Sequence, residues 1–189
     1  MPIRTNHLIT DRTWFVTFTC YNWFPLIEIT NSYDLVYKCL ALINKKYGIK
    51  TLGFVIMPNH VHLLLYLSDD TVNLNKIISN AKRFMAYDIV ERLRITDSDL
   101  LRTLAMACSE NEIRKGQKHK VFEPSFDAKV IYSSDFLFQK LNYIHSNPVS
   151  KKWMLCNELT DYEHSSAGFY ELGRPHAHID IINYTTYWC

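Results

Sequence analysis

Two histidines, His60 and His62, stand one residue apart inside the apolar run GFVIMPNHVHLLLYL, residues 53–67. Val55, Ile56, Val61, Leu63, Leu64 and Leu65 are β-branched or aliphatic and Pro58-Asn59 interrupts them, so the run reads as a strand, a tight turn and a second strand. Side chains alternate along a strand, which puts both imidazoles on one face and turns Val61 to the other. Two imidazoles one pleat apart can share a divalent cation through one nitrogen each, while their other nitrogens are held by neighbouring groups. They can equally be buried histidines satisfied by hydrogen bonds, and two ligands alone make a weak metal site.

A second pair of chemically capable residues lies in SSDFLFQKLNYIHSNPV, residues 133–149. Leu137, Leu141 and Ile144 recur at helical spacing and face the core, whereas Tyr143 and Asn147, four apart, share another side of the same helix. A phenol and an amide one turn apart suit a metal-dependent tyrosine nucleophile. The same pair also reads as an ordinary amphipathic residue followed by a C-terminal cap. An unperturbed phenol has a pKa near roughly 10, so a nucleophilic tyrosine needs a neighbouring cation or base; Lys140 and His145 are the candidates within one turn.

The elements that must position these residues follow from periodicity. TWFVTFTC, residues 13–20, is β-branched and aromatic and predicts a strand. Leu35, Val36, Cys39, Leu40 and Ile43 predict a helix of about four turns, capped by Asn31 or Ser32 and stopped by Gly48. After the histidine hairpin, Leu74, Ile77, Ile78, Ala81, Met85, Ile89 and Leu93 form the stripe of a second helix, capped by Asp70 or Thr71. Lys76, Arg83 and Arg94 lie opposite that stripe and Lys82 at its border. DSDLLRTLAMAC allows a short helix, and the basic stretch after it reads as a mobile loop. KVFEPSFDAKVIYS is extended around Pro124. The Tyr143 helix then starts at Ser133 or Ser134 and ends before Pro148, because proline disfavours helical backbone at the residue before it. The order of strand, helix, two strands, helix, strand and helix predicts an α+β ferredoxin-like sandwich, an antiparallel sheet with helices packed on it.

VIMPNHVHLLL together with LNYIHSNPV resembles the single-tyrosine HUH transposases, in particular the REP-associated tyrosine transposases. The order of motifs is also similar: a His-hydrophobic-His strand, a basic amphipathic helix, a variable loop, then a helix with Tyr-Ile-x-x-Asn-Pro-Val, over roughly residues 10–155. The resemblance implies that His60 and His62 are metal ligands, Asn147 the third protein ligand and Tyr143 the nucleophile. It implies Mg²⁺ or Mn²⁺ as cofactor, single-stranded or hairpin DNA as partner, and cleavage with strand transfer through a 5′-phosphotyrosyl intermediate. An alternative within the same resemblance is a catalytically idle relative that binds hairpin DNA as a regulatory or structural factor. Such proteins act as homodimers or monomers, so the oligomeric state stays open. A histidine-triad nucleotide hydrolase is excluded because Leu64 stands where a third alternating histidine would fall.

Composition sets the remaining expectations. At 189 residues, 48% hydrophobic and 14% aromatic, the chain has material for one substantial core. Residues 1–155 read as the catalytic domain and 156–189 as a tail wrapping it. No apolar run approaches the roughly 20 residues of a membrane span, and the N-terminus lacks the apolar core of a signal peptide, so a cytoplasmic protein without a membrane partner is expected. Five scattered cysteines without a C-x-x-C pair read as reduced thiols. A net charge of +2 does not announce nucleic-acid binding, but basic residues cluster. Lys82, Arg83, Arg114, Lys115, Lys118 and Lys120 are the expected phosphate contacts, with Lys151 and Lys152 a further cluster. A second His-x-His, His176 and His178, lacks a flanking strand and reads as tail surface.

Overall fold

The structure, a computed structural model, describes residues 12–69 and 72–188. Four strands, β1 (Thr13–Thr19), β2 (Lys50–Ile56), β3 (His60–Tyr66) and β4 (Asp127–Val130), form one sheet in the order β2-β3-β1-β4 with every neighbouring pair antiparallel. Helices α1 (Leu26–Ile29), α2 (Tyr33–Tyr47), α3 (Leu74–Thr96), α4 (Ser98–Met106), α5 (Glu110–Arg114), α6 (Ser134–Ser146) and α7 (Ala167–Leu172) complete it. This is the expected ferredoxin-like α+β sandwich. Both faces of the sheet are covered.

Strand alternation assigns the two faces. Trp14, Val16 and Phe18 of β1 join Val61, Leu63 and Leu65 of β3 in the larger core, against Leu35, Val36, Leu40 and Ile43 of α2 and Ile77, Ile78, Met85, Ile89 and Leu93 of α3. Phe15, Val55 and Leu64 point the other way and pack on Leu137, Leu141 and Ile144 of α6. Each of these buried aliphatics contributes roughly 1.5–3 kcal/mol relative to exposure, which is what holds α6 on the sheet. At Gly53 a Cβ would lie 2.8 Å from Leu141 Cδ1, so the missing side chain lets α6 approach β2 closely.

Helix boundaries follow local chemistry. Gly48 ends α2 in left-handed backbone, φ 67°, where glycine carries no steric penalty. Ser32 occupies the N-cap position of α2 but its hydroxyl bonds the Thr30 hydroxyl at 2.6 Å instead of capping. Asp70 and Thr71, the expected caps of α3, lie outside the described residues; Asn73 fills the N-cap and its side chain accepts from Lys76 N–H. Ser133 caps α6 by accepting from Phe136 N–H. Asn147 keeps helical backbone, φ −60° and ψ −47°, so α6 passes into its C-cap one residue before Pro148 despite the proline.

The stretch expected as a mobile loop is partly helical. Ser109 and Glu112 form a reciprocal capping box that starts α5, whose last residue is Arg114. After α6 the chain runs along the outer edge of β2: Ile56 N–H donates to His164 O, Ser166 N–H to Phe54 O and Ile182 N–H to Thr51 O. That edge strand is thereby protected from pairing with another chain. Trp188 Nε1–H reaches Thr13 Oγ1 of β1 at 2.9 Å. Cys20, Cys39, Cys108 and Cys156 are free thiols, and Cys189 lies outside the described residues. Among the described residues no helix is long and apolar enough to cross a membrane.

Candidate active site

His60 and His62 lie on the α6 face of the sheet, 3% and 4% exposed, with ring centroids 4.7 Å apart. The sheet register places Thr17 directly opposite His62 and Thr19 opposite His60. Thr17 Oγ1 is 2.7 Å from His62 Nδ1. Across the hairpin tip, His60 Nδ1 is 2.7 Å from Asn59 Oδ1, while Asn59 Nδ2 donates to Trp23 O at 2.8 Å. That second bond fixes the amide: Oδ1 faces the imidazole, so His60 Nδ1–H donates and Nε2 keeps its lone pair.

His62 Nε2 is fully buried and is the one buried side-chain nitrogen or oxygen among the described residues with no hydrogen-bond partner. Leaving such an atom unsatisfied costs about 1–3 kcal/mol, which asks for an explanation. Burial lowers the His60 pKa to about 4, helped by Lys152; burial also lowers that of His62 to about 3, helped by His60 and Lys140. Both rings are therefore neutral at pH 7 and offer lone pairs. Two pinned imidazoles with one orphaned nitrogen are donors that fit a divalent cation completed by oxygen ligands. Among the described residues no group of three His, Cys, Asp or Glu could hold a metal by itself.

Tyr143 meets these histidines from α6. Its ring centroid is 5.0 Å from that of His62 and 6.1 Å from that of Phe15, and the residue is 50% exposed. Half exposed and packed against the buried His62 ring, the phenol ring stands at the rim of the site. Lys140, one turn earlier, puts its ammonium 5.8 Å from the Tyr143 ring and 4.9 Å from that of Phe15. Asn147 is buried one turn beyond Tyr143, and its carbonyl accepts from the Ser150 hydroxyl. His145 is not available to assist the phenol: it is buried, with Nε2 2.9 Å from Ser166 Oγ.

The basic residues divide. Lys82 corrects the expectation of a phosphate contact, because it is 7% exposed and its ammonium donates to Glu123 O, Ser125 O and Pro124 O at 2.6, 3.0 and 3.4 Å. Burial lowers its pKa to about 8. A charged group on the border of an apolar stripe has turned inward to tie down the segment entering β4. Lys120 is engaged with Glu112 at 3.3 Å and with the Tyr21 ring. Arg83, Lys115 and Lys118 line one groove of about 770 Å³ between α3 and the 112–124 segment, with Glu91 and Glu112 on the same walls. Arg114 is exposed at the end of α5 and outside the groove lining. This groove lies on the α3 side of the sheet, whereas the imidazoles face α6.

Several neighbours of the histidines carry no signal of their own in the sequence. Thr17 and Asn59 orient the rings, and Trp23 and Trp153 each approach the His60 ring to 5.5 Å. Lys152, from the VSKKW cluster, lies over both indoles. His176 and His178 sit against Tyr37, at 5.4 and 4.8 Å between ring centroids. His176 Nε2 is 3.0 Å from Glu163 O, and its Nδ1 accepts from His178 N–H, so both its nitrogens are used within the fold.

No protein-family model and no curated protein sequence matches the chain. Among solved structures it is similar to a REP-associated tyrosine transposase bound to a REP hairpin, at 19% identity and a TM-score of 0.61, covering 97% of this chain and 92% of that one. A transposase candidate from Deinococcus radiodurans matches at 14% identity and a TM-score of 0.41, over 77% of this chain and 97% of that one. The four-stranded antiparallel sheet and the helices packed on it are the fold of the REP-associated tyrosine transposase.

Proposed function

We propose that the chain is a tyrosine transposase of the REP-associated kind, cleaving and rejoining single-stranded or hairpin DNA through a 5′-phosphotyrosyl intermediate. The observation that carries this reading is the half-exposed Tyr143 ring 5.0 Å from His62, whose Nδ1 is pinned and whose Nε2 is orphaned. The shared fold with a hairpin-bound transposase supports DNA as the partner.

Each residue has a task in this chemistry. Tyr143 Oη attacks phosphorus, the bond to the leaving 3′ oxygen breaks, the phenolic proton passes to solvent and the 3′ oxygen takes one up as a hydroxyl. Because the phosphodiester is exchanged rather than hydrolysed, a 3′ hydroxyl from another end can reverse the step and join to the retained 5′ end without ATP. Thr17 and Asn59 hold the two imidazoles through Nδ1, which leaves each Nε2 as the nitrogen for a ligand. Lys140 places a positive charge beside the phenol, where it can meet the phosphate. When bound, Mg²⁺ or Mn²⁺ held by His60, His62 and, on the resemblance, Asn147 neutralises charge on the non-bridging phosphate oxygens. Arg83, Lys115 and Lys118 contact backbone phosphates of the hairpin away from the cleaved bond.

The test mixes purified chain and Mn²⁺ with labelled single-stranded oligonucleotides taken from DNA flanking its own gene. A complex that survives denaturing electrophoresis and disappears in Tyr143→Phe is expected. No adduct, combined with a Tyr143-independent shift in native gels, would instead favour the catalytically idle, hairpin-binding reading.

A further inference from the structure

Beside the histidines stands an aromatic cradle that the proposed chemistry does not use. Trp23 is 53% exposed, large for an indole next to a buried site. Its ring lies 5.5 Å from His60 on one side, and the Trp153 ring lies 5.5 Å from the same imidazole. Lys152 Nζ stands 4.5 Å from the Trp23 centroid and 5.3 Å from that of Trp153. Two indoles with an ammonium between them, at the lip of a phosphate-handling site, match the combination that binds unpaired nucleotides: π-faces for bases and a cation for the backbone.

The backbone beneath Trp23 is held in a costly conformation. Asn22 and Trp23 both take positive φ, 49° and 57°, a region non-glycine residues seldom occupy and never favour in succession. Such a turn persists when its surroundings over-determine it. Trp23 N–H donates to Cys20 O, Phe24 N–H to Tyr21 O, and Asn22 N–H to Glu123 Oε1. Asn59 Nδ2 donates to Trp23 O. Asn59 therefore serves two neighbours with one amide, fixing the His60 ring through Oδ1 and the tryptophan turn through Nδ2. The exposed indole is registered to the imidazole and does not project freely into solvent.

We infer that Trp23 and Trp153, with Lys152 between them, form a stacking site for an unpaired nucleobase next to the phosphate handled at His60 and His62. This rests on the transposase reading above and deepens it: the cradle grips the single-stranded segment beside the cleaved bond, while the groove of Arg83, Lys115 and Lys118 takes backbone elsewhere. Stacking accepts any base face, so the cradle supplies position along the strand more than sequence identity.

The test uses the full chain in EDTA, so that binding is read apart from cleavage. Single-stranded oligonucleotides of mixed sequence carry 2-aminopurine at successive positions, and its fluorescence falls when it stacks on an indole. Wild type is expected to quench the probe at most positions, because a site that accepts any base face holds the strand in many registers. Trp23→Leu is expected to abolish that quench and weaken binding roughly tenfold, with Trp23→Phe retaining most of both. Trp153→Leu should act in the same direction, with thermal melts run alongside because that ring also packs against the smaller core. Unchanged quench and affinity in Trp23→Leu, or no quench at any position with wild type, would overturn the proposal. Quench without a Tyr143 adduct in Mn²⁺ would support the cradle and overturn the transferase reading alone.

Discussion

Thr17 and His62 face each other across β1 and β3, with Oγ1 2.7 Å from Nδ1. When Thr17 accepts from Nδ1–H, the buried Nε2 is left with a bare lone pair, the form a cation takes. Loss of a group that orients a ligating histidine costs about 10–100-fold in metal affinity. Thr17→Val, isosteric and suited to a strand, is expected to weaken Mn²⁺ binding by that factor in a calorimetric titration, with Thr17→Ser close to wild type. Mn²⁺ should also raise the wild-type melting temperature in a concentration-dependent way and leave that of His62→Ala unmoved. Equal affinity in wild type and Thr17→Val would remove Thr17 from the site.

Arg83, Lys115 and Lys118 are exposed on the walls of one groove, which Arg94, paired with Glu91, and the carbonyl-bound Lys82 also line. Each phosphate contact contributes about one unit to the slope of log affinity against log salt. Replacing any of the three by Gln is expected to lower hairpin affinity, to reduce that slope by roughly one and to leave the melting temperature unchanged. Titrations at several salt concentrations read this directly. Parallel lines for variant and wild type would mean that the groove is not where phosphates bind.

How much of this was legible in the residues depends on the range of the signal. Alternation across GFVIMPNHVHLLLYL put His60 and His62 on one face, and the 3.6 period put Tyr143 away from Leu137 and Leu141. What periodicity does not carry is pairing between distant segments. Thr17 is one of several threonines in an ordinary strand until β1 slots between β3 and β4 and sets it opposite His62. Asn59 looked like a turn residue and is one, yet its amide also bridges His60 and Trp23. Lys82 was misplaced because a residue at the edge of a stripe can turn either way, and three carbonyls decided it. Helix α5 was there to be read: Ser109 followed three residues later by Glu112 is a capping-box signature, obscured by the basic residues behind it.

Lys82 leads to a prediction opposite to that for the groove. Its ammonium satisfies the carbonyls of Glu123, Pro124 and Ser125 and so braces the segment that enters β4. Lys82→Met keeps the aliphatic stem and removes the donors, at a cost of about 1.5–3 kcal/mol for hydrogen bonds from a charged group. A drop of that size in urea stability is expected, with hairpin affinity unchanged where the variant is folded. A stable variant that binds DNA poorly would return Lys82 to the phosphate contacts.

His145 sets a pH dependence of stability. Burial lowers its folded pKa to about 4, whereas an unfolded histidine titrates near roughly 6.5. Between those values the unfolded chain binds a proton that the folded chain refuses, and stability rises with pH wherever the unfolded state holds more protons. The contribution is thus whole above about 6.5, declines as the pH falls, and stops declining below about 4; the full loss is on the order of 3 kcal/mol. The ring links α6 to Ser166 Oγ, which in turn accepts from Phe54 N–H of β2, so its protonation loosens the helix that carries Tyr143. His145→Gln keeps an amide donor in reach of Ser166 and does not titrate. Urea midpoints measured from pH 7 to 4.5 should therefore fall less steeply for His145→Gln than for wild type, the two curves converging as the pH drops. Curves that stay parallel over that range would show that His145 keeps the same protonation state in the folded and unfolded chain.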